Sequence, residues 1–155
     1  MSISGKEFED MMKKSHCKII YDSGKKKRIG RVSSQKIEVH GVLLDSKAEV
    51  NIYWECFIDD EVEIIWPTPM LEKETFILLK PFKRKNKSYQ GITYTPDFKI
   101  KIYGVEWIIE VKSRGTLRAN SKSYPLRRKL FLNKFPDLNF REIIFDGKKR
   151  TEINY

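Results

Sequence analysis

Between Ile92 and Lys112 polar and apolar residues alternate on either side of a Tyr103-Gly104 dipeptide, and no other stretch limits the possible folds as tightly. A period of two puts successive side chains on opposite faces of a strand. A two-residue connection containing glycine suits a tight hairpin. The spacing predicts strands over Ile92 to Ile102 and Val105 to Lys112. Such a turn also fixes the register: Asp97 lies opposite Glu110, Lys99 opposite Ile108 and Lys101 opposite Glu106 on one face. Phe98–Ile109, Ile100–Trp107 and Ile102–Val105 pair on the other, which is a ready core surface. Directly opposed carboxylates repel, so Asp97 and Glu110 call for a neutralising partner. A divalent cation held by oxygen ligands is the economical one. Lys112 shares the Glu110 face two residues on.

The remainder of the chain reads as alternating strand and helix. Lys36 to Leu44 is extended, with a bend or bulge at Gly41. Asp45-Ser46 opens a helix to about Asp59, with Val50, Tyr53, Trp54 and Phe57 at helical spacing. Ser46-Lys47-Ala48-Glu49 matches a capping box, so Glu49 sits in the first turn. Glu61 to Lys87 reads as strands interrupted by Pro67, Pro69 and Pro81. Pro125 suits the first turn of a helix ending near Phe135, with Leu126, Leu130 and Phe135 facing the core. A last strand follows near Phe140 to Phe145. This order predicts an α/β or α+β fold with a mixed sheet and helices against it.

Length allows one domain, 1–155, with a basic segment over about 1–35 that includes the loop Gly24 to Arg31. Cys17 and Cys56 lack the spacing of a zinc site or a disulfide framework, and a reducing cytoplasm is expected. No stretch approaches the roughly 18 apolar residues of a membrane span, and the amino terminus has no apolar run of signal-peptide type. Lys and Arg total 31 against 21 Asp and Glu, a net charge of +10. That balance suits a polyanion, nucleic acid first among them.

Thr95-Pro96-Asp97, then twelve residues, then Glu110-Val111-Lys112 resembles the PD-(D/E)XK nuclease signature. The resemblance implies a restriction-endonuclease-like fold, with a mixed central sheet flanked by helices. It also implies an acidic residue on a preceding helix, and Glu49 is the matching position; the rival role for Glu49 is the capping box. Thr93 to Phe98, the Glu110-Val111-Lys112 strand and Lys129 through Leu138 together look like phage endonuclease I, a family of Holliday-junction resolvases. Val39 to Glu49 also resembles a group of phage-borne PD-(D/E)XK proteins. These likenesses imply a homodimer that hydrolyses branched DNA with Mg2+, or Mn2+ in its place. If phage-encoded, it would work in the cytoplasm of a bacterial host. Asp97, Glu110 and the Val111 carbonyl would hold the metal, with Glu49 orienting water or joining a second metal site and Lys112 helping to activate the water. Arg114, Arg118, Lys122, Arg127, Arg128 and Lys134 are the expected phosphate contacts. Two other readings stand beside this one: a sequence- or end-dependent DNA nuclease, and a DNA-binding module without catalysis.

Overall fold

A computed structural model describes residues 18–20, 36–115 and 123–155. The basic loop Gly24 to Arg31, Cys17, Arg118 and Lys122 lie outside the described residues. The chain divides into two compact units, Met1–Glu55 and Cys56–Tyr155.

In the first unit, β1 (Lys18–Ile20), β2 (Lys36–Val39) and β3 (Val42–Leu44) form an antiparallel sheet in that order. The turn between β2 and β3 is His40-Gly41, both residues having positive φ, which glycine adopts freely and histidine at a modest cost. Alternation works as the sequence predicts: Ile37, Val39, Val42 and Leu44 are buried, while Lys36 and Leu43 are exposed. The helix α1 (Lys47–Ile58) begins just after Ser46 and continues across the division between units. Val50, Tyr53 and Trp54 are buried, but Phe57 is not, being 54% exposed near the helix end.

The second unit is built on a five-stranded mixed sheet. It contains β4 (Val62–Trp66), β9 (Phe98–Ile102), β10 (Val105–Ser113), β11 (Asn139–Asp146) and β12 (Lys149–Asn154), ordered β12-β11-β10-β9-β4. All neighbours are antiparallel except β10 and β11. A parallel pair needs a long crossover, and α2 (Ser123–Lys134) lies within it. Two smaller pairs complete the unit: β5 (Phe76–Leu79) with β8 (Ile92–Tyr94), and the hairpin β6 (Phe82–Arg84) with β7 (Lys87–Tyr89). The fold is mixed α+β, as the sequence order implies.

On the sheet face that carries Ile108 and Phe140 the core is aromatic. Phe131 of α2 packs edge-on or tilted against Phe76, Tyr94 and Phe140, with centroids 5.0, 5.3 and 5.6 Å away. Trp66, Leu78, Ile108 and Tyr124 complete the cluster, and Leu130 and Phe135 pack at its margin. Leu126 does not join it; it is 53% exposed, and Tyr124 and Phe131, seven residues apart, form the buried stripe instead.

Two other departures from the sequence reading bear on the site. The expected strand Ile92 to Ile102 is broken at Thr95-Pro96-Asp97, because Pro96 has no N–H for a ladder. The first piece, β8, pairs with β5 rather than β10. The strand β12 is also absent from the sequence reading: all six of its residues are exposed, so no buried alternation marks it.

Candidate active site

The β9–β10 hairpin turns at Tyr103-Gly104, with φ of 48° and 83°. Its register is Val105↔Ile102, Glu106↔Lys101, Trp107↔Ile100, Ile108↔Lys99 and Ile109↔Phe98, as the two-residue turn dictates. One residue before β9, the Asp97 amide still donates to the Ile109 carbonyl at 3.1 Å. Beyond that point the ladder ends. There the Val111 amide donates to Asp97 Oδ2 at 2.8 Å, a side chain standing in for a strand. The N–H and C=O of one strand residue point to the same side. The Val111 carbonyl therefore also faces the β9 side, past the end of its pairing.

Both carboxylates are buried, Asp97 at 8% exposure and Glu110 at 3%. The face that carries them is not open, since Ile108 beside them belongs to the aromatic core. Glu110 Oε2 accepts a hydrogen bond from the Tyr94 hydroxyl at 2.7 Å, and Glu110 Oε1 pairs with the Lys112 ammonium. Lys112 Nζ stands 4.9 Å from the centre of the Tyr124 ring. Lys73 Nζ approaches Asp97 Oδ1 at 3.5 Å. The two lysine side chains keep 19% and 16% of their surface in solvent, so each ammonium sits at the rim.

Burial, and next the Glu110 charge, raise the Asp97 pKa to about 6; Lys112, Lys73 and the Val111 amide pull the other way without cancelling that rise. The Tyr94 hydroxyl is pushed well above its ordinary value by burial and then by Glu110. Tyr124 is raised too, by burial and then by Glu110 and Glu142.

Glu142 is a feature that sequence reasoning missed. It lies directly beside Glu110 in the parallel β10–β11 register and is 1% exposed. Arg128 Nη1 of α2 donates to its Oε2 at 2.5 Å, and the Tyr155 hydroxyl donates to the same oxygen at 3.1 Å. The signal available was parity: Glu142 alternates with Phe140 at a core position of a strand. Lys73 was missed as well, and nothing in Glu72-Lys73-Glu74 marks it. Tyr94 and Tyr124 are packed in the core rather than free to stack on a base.

The other expected residues are distributed differently. Glu49 belongs to the first unit, where it is buried and serves the helix start. Ser46 Oγ accepts from the Glu49 amide at 3.2 Å, and Glu49 accepts from the Ser46 hydroxyl at 3.0 Å and the Asp45 amide at 3.3 Å. The capping box forms, with the Asp45 amide where the Ser46 amide was expected. Arg114 is exposed and paired with Asp146. Arg127 is exposed on α2. Arg128 is taken up by Glu142, and Lys134 Nζ donates to the Ile77 carbonyl at 2.6 Å.

Among the described residues no three His, Cys, Asp or Glu side chains gather as a metal-binding group. The donor set at the end of the hairpin is nevertheless suited to a hard cation. Asp97, Glu110 and the Val111 carbonyl are all oxygen donors, and the Asp97 pKa is raised first by burial and second by the neighbouring Glu110 charge, which a bound cation would offset. Magnesium, with two carboxylates and water, fits that chemistry.

A family model described as a protein of unknown function (DUF1064) matches residues 30–151. No curated protein and no solved structure matches the chain.

Proposed function

The chain belongs to the DUF1064 family, and we propose that it is a magnesium-dependent endonuclease that hydrolyses phosphodiester bonds in DNA. The observation that carries this reading is the pair of buried carboxylates at the open end of the β9–β10 hairpin. Val111 is anchored between them by its amide, and Lys112 is two residues beyond Glu110. Asp97, Glu110 and the Val111 carbonyl are the residues to hold the cation. When bound, magnesium supplies Lewis-acid stabilisation of charge on the phosphate and favours deprotonation of water.

The chain's own groups have separate tasks. The Val111 amide fixes the rotation of the Asp97 carboxylate, and the Tyr94 hydroxyl fixes that of Glu110. Both orientations are set before substrate arrives, so less ordering is needed in the transition state. Lys112 and Lys73, at the rim, are placed to bind phosphate oxygens and to favour the more negative transition state over the ground state. With its pKa near 6, Asp97 is ionised and able to act as a ligand above that pH.

Branched DNA as substrate, and a homodimer that presents two sites to two strands, follow from the likeness to endonuclease I. A four-way junction and a matched linear duplex, incubated with magnesium or EDTA, test both chemistry and substrate. Magnesium-dependent cutting of the junction alone, lost in Glu110→Ala, supports the resolvase. Equal cutting of both DNAs keeps the nuclease and removes the resolvase. A second reading, a DNA-binding module without catalysis, is favoured by one observation: Lys73 and Lys112 already stand against the two carboxylates. Binding with no cutting in magnesium or manganese would select it.

A further inference from the structure

Every residue of the hairpin β6–β7 is exposed. All residues from Lys80 to Gln90 are exposed or nearly so. Lys80, Lys83, Arg84, Lys85 and Lys87 fall in this stretch, and no acidic residue occurs from Thr75 to Pro96. None of the five cations makes an ion pair among the described residues. Arg84 pairs directly with Lys87 across the two strands, two positions along from the Phe82↔Tyr89 pair. Like charges opposed on a two-stranded ribbon destabilise it, and such a ribbon is marginal by itself. Phe82 and Tyr89 offset this by stacking face to face, with centroids 4.8 Å apart and planes 8° from parallel. At the tip Lys85 adopts φ of 52°. That conformation is cheap for glycine and costs a side-chain residue on the order of 1 kcal/mol. A lysine held there keeps a charge at the point of greatest reach.

We propose that this hairpin is a phosphate-binding arm whose ligand is the backbone of double-stranded DNA. A ribbon with an aromatic base, opposed cations and a lysine tip is self-repulsive alone and complementary to a closely spaced row of anions. A two-stranded ribbon also has the cross-section to enter a major groove. Tyr89 at the arm's base is five residues from Tyr94, whose hydroxyl holds Glu110. Five residues span at most about 18 Å, so the base of the arm lies within that distance of Tyr94 and the arm starts close to the carboxylates. The choice of DNA as the polyanion rests on the nuclease reading; the arm itself rests on its charge and geometry.

The test compares the wild-type chain with the quadruple variant Lys83→Ser, Arg84→Ser, Lys85→Gly, Lys87→Thr. Binding of a labelled linear duplex is measured in EDTA, where cutting is suppressed, over a series of potassium chloride concentrations. Removing four phosphate contacts lowers the slope of log affinity against log salt by about 3 to 4. Affinity at moderate salt is expected to fall at least about tenfold. A cooperative thermal transition with a midpoint no lower than that of the wild type establishes that the variant is folded. Equal affinity and equal slope in a folded variant overturn the proposal. So does hairpin-dependent binding to anionic lipid vesicles with no binding of duplex DNA. Hairpin-dependent duplex binding with no cutting in magnesium supports the arm and overturns the nuclease reading, so the two failures are distinguishable.

Discussion

Glu110 and Glu142 are neighbours in register on adjacent parallel strands, both almost fully buried, yet their surroundings are of different kinds. Glu142 meets the guanidinium of Arg128 at 2.5 Å and a tyrosine hydroxyl at 3.1 Å. The guanidinium in turn lies 4.9 Å from the Tyr155 ring centre and 5.7 Å from that of Tyr124. A planar, permanently charged fork held on two rings is a fixed structural partner. Glu110 has a tyrosine and a lysine, and it shares its site with a second carboxylate. The lysines there are compact charges on flexible stems reaching in from the rim. Asp97 keeps a pKa raised to about 6 in spite of them. One buried acid is neutralised by a fixed guanidinium; the other two are paired with ammonium groups at the rim.

The largest effect expected from this contrast is on activity. Glu110→Ala should reduce magnesium-dependent cutting by at least about a thousandfold, the equivalent of about 4 kcal/mol in the barrier, measured in single-turnover assays. Its stability in urea should fall by only about 1–3 kcal/mol, because loss of the Tyr94 hydrogen bond and the Lys112 pair is partly offset by removal of a charge that repels Asp97. The opposite pattern is expected at Arg128. Arg128→Met leaves Glu142 buried and unpaired, costing about 3–5 kcal/mol in urea unfolding. A double variant with Glu142→Leu should recover most of that loss, since an apolar pair of similar volume is often neutral.

A third contrast is in pH. The folded Asp97 pKa is raised above the ordinary value of 3.8 to about 6. In that window the folded state binds the extra proton, so stability falls as pH rises from about 4 to about 6 and then levels. The contribution is on the order of 3 kcal/mol without metal, and Asp97→Asn should remove it from a urea-unfolding series across that range. Cutting should show the reverse dependence, increasing through pH 6 as Asp97 ionises. The smallest effect is expected for Tyr94→Phe. Loss of a hydrogen bond to a charged carboxylate costs about 1.5–3 kcal/mol, divided between stability and turnover, and chemical denaturation with kinetics on one preparation reads both.

Much of this contrast was present in the sequence on one side only. Alternation and the Tyr103-Gly104 turn made the hairpin register legible, and with it the opposition of Asp97 and Glu110, because both depend on local backbone geometry. The helix start at Ser46 was legible for the same reason. Partners supplied by distant segments were not. Arg128 read as a phosphate contact, and its pairing with Glu142 is set by the packing of α2 on the sheet. Tyr94 read as a continuation of β9, but Pro96 diverts it to the β5 pair and so above Glu110. Lys73 comes from a loop with no periodicity at all. Lys134 read as a phosphate contact, and its hydrogen bond to the carbonyl of Ile77 was not legible. Among the described residues no helix is long and apolar enough to cross a membrane.

Under the proposed function, one of the two buried regions takes a cation and the other does not. Calorimetric titration of the chain with manganese at pH 7.5, beside Asp97→Asn and Glu142→Gln, measures this most directly. Wild type and Glu142→Gln are expected to bind the ion with similar affinity, while Asp97→Asn loses binding. Equal binding by wild type and Asp97→Asn, or none by either, would contradict the assignment of the hairpin carboxylates as the metal site.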